Sequence, residues 1–274
     1  MRLRHHLAAG AMAVGLTGLP GWATADDAEV LIDALRVGDT VEIMRQEGLR
    51  YGADLGVEML PGVNTARWGE VVSRIYDPEK MEAVITDGFE TAFEGKDLEM
   101  LVAFFTSETG SEIIELELSA REAFLDQDTE MAAMDAYEVA RDDQTRLFEQ
   151  VEEIISDSDL VEFNVMGAMN ANLMFYRGLL DGGAIEMGEE EMLADVWAQE
   201  EDIRGESEAW LGSFLMLAYR PLEEAELEAY AELYRTPEGK VLNTAIFEAY
   251  DQMYEEISYL LGQAVAQQMQ SEEL

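Results

Sequence analysis

The chain contains no cysteine, and its two histidines, His5 and His6, stand within the first six of 274 residues. Lysine is confined to Lys80, Lys96 and Lys240, and there are only five prolines. Without cysteine there is no disulfide, no thiolate nucleophile and no thiolate-bound metal. If the N-terminal segment is a leader that is removed, the mature chain has no histidine either. That excludes a Ser-His-Asp triad and histidine-ligated zinc. No stretch alternates polar and apolar residues long enough to argue for a strand. After the leader, no apolar run approaches the roughly 20 residues that span a bilayer.

What is present in excess is carboxylate. Asp and Glu number 59 against 17 Lys and Arg, a formal charge of −42. Such a chain repels phosphate backbones and anionic lipid headgroups, so nucleic acid and bare membrane surface are poor partners, while cations and basic proteins are permitted. A lysine-poor, acid-rich surface also suits life in salt, where repulsion is screened over about 8–10 Å or less. Residues 1–25 read as a cleavable signal peptide. Arg2 and Arg4 make a basic start, Leu7 to Leu19 is apolar, and Ala23-Thr-Ala25 fits an A-x-A cleavage site. With no cysteine after the cut the chain is not a lipoprotein, and the separated arginines disfavour the twin-arginine route. The expected address is the periplasm.

Two short stretches organise the rest: Phe105-Thr-Ser-Glu-Thr-Gly110 and Tyr234-Arg-Thr-Pro-Glu-Gly239. In each, an aromatic ends one amphipathic run, a hydroxyl follows two places on, and a glycine sits three beyond that. Ser107 and Thr236 are placed as N-caps of the next helix. Pro237 falls at its first position, where a missing N–H costs nothing, and Glu108 in the other copy suits the positive end of the helix dipole. Gly110 and Gly239 fall in the first turn, where glycine loses up to about 1 kcal/mol to alanine, so close approach of the preceding helix is the expected compensation. Leu98, Leu101, Val102 and Phe105, and Leu227, Tyr230, Ala231 and Tyr234, share helical spacing and make one buried face each.

At these two places the chain resembles the domain-of-unknown-function family numbered twenty fifty-nine, secreted helical proteins of proteobacteria, whose core is an aromatic, then Ser/Thr, often Pro, then Gly, then a long helix. Tyr234 to Lys240 matches that pattern, and Phe105 to Gly110 matches it without the proline; the likeness covers roughly residues 85–125 and 215–265. It implies an all-helical fold and an extracytoplasmic address. It brings no established reaction and so no catalytic residues.

The expected architecture is all-α: two tandem helical repeats built on helical hairpins, 26–157 and 158–274, packed as an elongated pseudosymmetric bundle. Gly110 and Gly239 are 129 apart, as are Trp68 and Trp197, while Met44, Tyr51 and Leu55 parallel Met169, Tyr176 and Leu180 at 125. Helix starts are expected at Asp39, at Asn64 or Thr65, after Asp77-Pro78 and at Arg220-Pro221. Breaks are expected at Pro61-Gly62, Asp181-Gly-Gly183 and Gly205. The proline-free run Ile113 to Ile155 is one helix or two with a bend near Asp126-Gln-Asp128.

Catalytic signals are weak. An enzyme built from these residues would use a carboxylate pair, as glycosidases do, and Gly205-Glu206-Ser207 shares a Glu-Ser with lytic transglycosylases but lacks the Gly-Leu-Met-Gln that should follow. Asp126-Gln-Asp-Thr-Glu130 places oxygens like a calcium loop, but Met131 and Tyr137 stand where glycine and glutamate are required. Glu189-Glu-Glu191 is the other acidic cluster. No metal, cofactor or catalytic residue is expected. The favoured reading is a non-catalytic binding or interaction protein, with a groove for an apolar ligand or a partner helix made by Met169, Met174, Phe175, Tyr176, Trp210 and Phe214, side chains that adapt to irregular apolar surfaces. An acid-pair hydrolase of cell-wall glycan and a divalent-cation binder are the alternatives.

Overall fold

A computed structural model of the protein describes residues 25–272; the expected leader, apart from Ala25, lies outside the described residues. These form α1 (Ala25–Ala34), α2 (Val37–Met59), α3 (Thr65–Ile75), α4 (Pro78–Phe93), α5 (Glu99–Phe105), α6 (Glu108–Ala123), α7 (Gln127–Asp143), α8 (Arg146–Asp157), α9 (Leu160–Asp181), α10 (Glu189–Trp197), α11 (Glu200–Tyr219), α12 (Glu224–Arg235) and α13 (Pro237–Glu272). The fold is all-α, with no strand among the described residues.

Local chemistry sets most helix ends. Asn64 accepts the Arg67 amide at 3.0 Å to start α3, and Asp77 accepts the Glu79 amide at 3.1 Å with Pro78 at the first position of α4. At the α5–α6 joint Ser107 Oγ accepts the Gly110 amide at 3.1 Å and donates to the Phe104 carbonyl at 2.6 Å. At the α12–α13 joint Thr236 Oγ1 accepts the Gly239 amide at 3.0 Å and donates to the Leu233 carbonyl at 2.6 Å. A Cβ on Gly110 would run into the carbonyl oxygen of Phe104, and one on Gly239 into that of Leu233. The obstacle is backbone in both cases, so neither joint has a flexible side chain that could move aside.

Several boundaries differ from those expected. Asp39 lies inside α2, which starts at Val37 after Arg36 in the left-handed region (φ 52°), and the Asp39 carboxylate takes the Arg36 guanidinium at 2.6 Å. Gly205 does not break α11, because burial of Leu211, Leu215 and Ala218 along it outweighs the roughly 1 kcal/mol cost of one glycine. The helix leading to the second joint begins at Glu224 rather than at Arg220-Pro221, through a reciprocal capping box between Glu223 and Glu226. The proline-free run breaks twice. Asp126 caps α7 through the Thr129 amide (2.9 Å), and Gln144, left-handed at φ 51°, ends it, the Thr145 amide reaching back to the Ala140 carbonyl. Thr145 then caps α8.

The helices pack in two groups. In one, α2 packs on α3 and α4, α1 on α4 and α5, and α5 on α6; in the other, α9 packs on α10 and α11, α8 on α11 and α12, and α12 on α13. Between the groups α4 lies against α13 and α11 against α6, with α7 added on α11. Glycines set the tightest crossings. Trp68 and Val72 of α3, and Tyr76 at its C-terminal cap, seat over Gly56, Gly52 and Gly48 of α2, and Trp68 Nε1 donates to the Gly52 carbonyl at 2.6 Å. Gly178 of α9 and Gly262 of α13 bring those two helices into backbone contact. One continuous core runs through both groups, from Leu31, Ile85 and Phe105 to Leu215, Leu242 and Val265. The stretches expected as 26–157 and 158–274 therefore share a core, and α8, which precedes that boundary, packs with the helices that follow it.

The tryptophans 129 apart are not counterparts in space. Trp68 is in the first turn of α3 and 2% exposed; Trp197 ends α10 and is 65% exposed. A different pair of positions corresponds instead. Arg36 between α1 and α2 and Asp159 between α8 and α9 are both left-handed (φ 52° and 51°) without being glycine. The amides of Leu35 and Arg36 bond to Leu31 and Asp33, as those of Ser158 and Asp159 bond to Ile154 and Ser156.

The joints give a direct test. Gly110→Ala and Gly239→Ala should each lower stability in urea unfolding by about 3 kcal/mol, the upper end of overpacking costs. Gly205→Ala, with nothing near an added Cβ, should raise it by up to about 1 kcal/mol. Joint variants that unfold at the wild-type midpoint would show that close approach is not what holds the joints.

Candidate functional site

A cavity of about 500 Å³ lies where the two groups of helices meet, within the range of small-molecule sites. Its lining comes from α2 (Thr40, Met44), α4 (Phe89), α6 (Glu117, Arg121), α9 (Asn164, Ala171), α11 (Trp210, Phe214), α12 (Tyr230, Tyr234) and α13 (Tyr250, Asp251), among others. Aromatic and aliphatic side chains dominate it. Trp210 and Phe214, one turn apart on α11, stack with ring centroids 4.9 Å apart, and both meet Phe124 edge-on.

Two charged residues one turn apart on α6 carry the polar chemistry. Tyr219 donates its hydroxyl to Glu117 Oε1 at 2.6 Å and Tyr230 donates to the same oxygen at 2.9 Å. Oε2 has no hydrogen-bond partner among the described residues. Enclosure by protein raises the Glu117 carboxyl above the ordinary carboxylate range, the two tyrosine hydrogen bonds pulling it back without cancelling the effect. Burial and the Glu117 charge in turn push the hydroxyls of Tyr219 and Tyr230 well up, so both stay protonated donors. Arg121 does not pair with Glu117. It turns to α2 and forms a two-pronged bond with Glu47, Nε to Oε1 at 3.0 Å and Nη2 to Oε2 at 2.8 Å. Burial pushes the Tyr250 hydroxyl up to about 12, with the Arg121 charge pulling the other way.

Elsewhere in the lining, Asp251 of α13 lies over Gly167 of α9, where a Cβ would strike its carboxylate. Desolvation raises its carboxyl to about 6, helped by Glu255 and Glu248 on its own helix. No described residue forms an ion pair with it.

The structure places the residues singled out in the sequence as follows. Trp210 and Phe214 line the cavity. Met169, Met174, Phe175 and Tyr176 do not: α9 turns its small face, Asn164, Gly167, Ala168 and Ala171, to the cavity. Met169, Met174 and Tyr176 are half-buried on other faces of α9, and Phe175 packs against the core. The six therefore do not form one groove. Of the joint residues, Tyr234 lines the cavity and Phe105 is buried beside it, both rings packing against Tyr230 with centroids 5.0 and 6.4 Å away. Asp126 serves as a helix cap, Glu189 to Glu191 occupy the exposed first turn of α10, and Glu206 is exposed on α11. Among the described residues no three His, Cys, Asp or Glu side chains converge as a metal-binding group.

Sequence reasoning missed Glu117, Arg121 and Asp251. The signal was available for the first two: on a helix whose buried stripe runs Gly110, Ile113, Ile114, the next stripe positions carry Glu117 and Arg121. A charge on an apolar stripe needs a partner from elsewhere in the fold.

The described residues make an all-α fold with a half-open pocket lined by aromatics and set with a few charges. Comparison of the chain with protein-family models, with curated proteins and with solved structures gave no match.

Asp251 predicts a pH dependence. Its folded pKa lies above the unfolded value, so the folded state binds the extra proton and ionisation of Asp251 opposes folding. The penalty is absent below about pH 4, grows between 4 and 6, and is complete above 6. Asp251→Asn should therefore raise the melting temperature at pH 7.5 and leave it unchanged at pH 3.5. An equal shift at both values would contradict this.

Proposed function

We propose that the protein is a non-catalytic periplasmic binding protein that holds an amphipathic small molecule in the cavity between two duplicated helical halves. The observation that carries the reading is the cavity itself: about 500 Å³, mostly apolar, with its few polar groups set at fixed points by hydrogen bonds. An apolar body would gain burial against Trp210 and Phe214, and a polar end would meet Glu117 or Asp251. The lining favours binding over glycan cleavage, because a sugar ring there would leave most of its hydroxyls unpaired.

The duplication is proposed on three grounds: matching joints at Ser107–Gly110 and Thr236–Gly239, matching left-handed turns at Arg36 and Asp159, and the same order of packing in the two groups. The repeated joint also supports membership of the family the sequence resembles. The periplasmic address rests on the basic start, apolar run and Ala23-Thr-Ala25 of the leader. Intact mass of the protein recovered from a periplasmic fraction should correspond to cleavage after Ala25; full-length mass there would overturn the leader reading.

Binding is tested with N-phenyl-1-naphthylamine, an uncharged dye that brightens in apolar surroundings. The native protein should bind it with saturation. Ala171→Trp, which fills the cavity from α9, should weaken binding at least about tenfold, or ~1.4 kcal/mol, with the far-UV circular dichroism retained. No saturable binding by the folded wild type would refute the proposed function.

A further inference from the structure

The charges around the cavity do not balance, and the imbalance has a sign. Of the lining residues only Arg121 is basic, and Glu47 occupies two edges of its guanidinium at 2.8 and 3.0 Å. That pair is closed and close to neutral. Glu117 and Asp251 are left. Neither has a basic partner, and Glu117 Oε2 is bonded to nothing among the described residues, in a half-buried side chain that lines the cavity. Around them stand the rings of Tyr230, Tyr234, Trp210 and Phe214, whose π faces carry negative potential and attract cations. Beyond the cavity the whole chain, at −42, draws cations toward the protein and repels anions.

Resting on the binding reading above, we propose that the ligand is an organic monocation, an amine or quaternary ammonium group set against Glu117 with an apolar body lying along Trp210 and Phe214. The free carboxylate oxygen supplies the countercharge and the aromatic rings supply the cage. A cation entering there favours the ionised form of Glu117, because it opposes the desolvation that raises the carboxyl. An anionic head would meet two carboxyls without basic partners and an arginine already engaged.

The test compares three ligands with the same ten-carbon chain: decyltrimethylammonium, decan-1-ol and decanoate, each below its micelle concentration in 150 mM salt. Each is titrated against protein loaded with N-phenyl-1-naphthylamine. The ammonium should displace the dye at about tenfold lower concentration than the alcohol, and decanoate should be weaker than the alcohol. Glu117→Gln should bring the ammonium to the level of the alcohol, with saturable binding of the uncharged dye to the variant reporting an intact cavity. Glu206→Gln, the same charge change at an exposed site on α11, should leave the preference intact. Decanoate displacing as well as the ammonium, or Glu117→Gln and Glu206→Gln lowering the preference equally, would overturn the cation assignment while leaving the binding function standing. Failure of the dye to bind at all would remove both.

Discussion

The hydrogen bond from the Tyr230 hydroxyl to Glu117 depends on two helix joints being brought side by side. Glu117 is carried by α6, the helix that leaves the first joint, and Tyr230 by α12, the helix that enters the second. Phe105 and Tyr234, the aromatics that end the incoming helix at each joint, pack their rings against Tyr230. A buried carboxyl without donors is costly, so the contact is worth most when both joints hold their angle. The hydroxyl caps and side-chain-free first turns fix that angle, because the neighbouring atoms are backbone and cannot relax.

From that contact the cavity follows. The cavity lies where α4 packs on α13 and α11 on α6, between the two groups of helices. Where small residues meet, as at Gly178 and Gly262, backbones touch. Where Glu117, Arg121, Tyr250 and Asp251 share the lining, a space remains. The described residues thus combine close helix contacts with an unfilled polar-edged space, and proteins keep such spaces rarely, since filling them is the easier route to stability.

The two groups of helices are alike in their joints and turns and unlike in what they give the site. The first supplies the charged pair Glu117 and Arg121 from α6. The second supplies Trp210, Phe214, Tyr230 and Tyr234, with Asp251 on the helix that corresponds to α6 in order.

Much of the scaffold was legible in the chain. The helical class followed from periodicity, and Ser107, Thr236, Gly110 and Gly239 could be assigned roles because caps and first turns are local affairs of three or four residues. The site was legible only in part. Trp210 and Phe214 stand out as bulky apolar residues, but Met169, Met174 and Tyr176 stand out equally and face elsewhere, since which side of α9 turns inward depends on Gly178 meeting Gly262 far along the chain. Trp68 and Trp197 look paired by spacing and differ in space, because helix ends, rather than residue counts, decide register. Glu117, Arg121 and Asp251 became a site only when helices more than a hundred residues apart were packed together. The sequence by itself determined the helical elements, their caps and the acidic balance, all set by interactions within a few residues. Tertiary structure decided which charges were paired, which were left open and where a space remained, because those depend on long-range neighbours that no local pattern names.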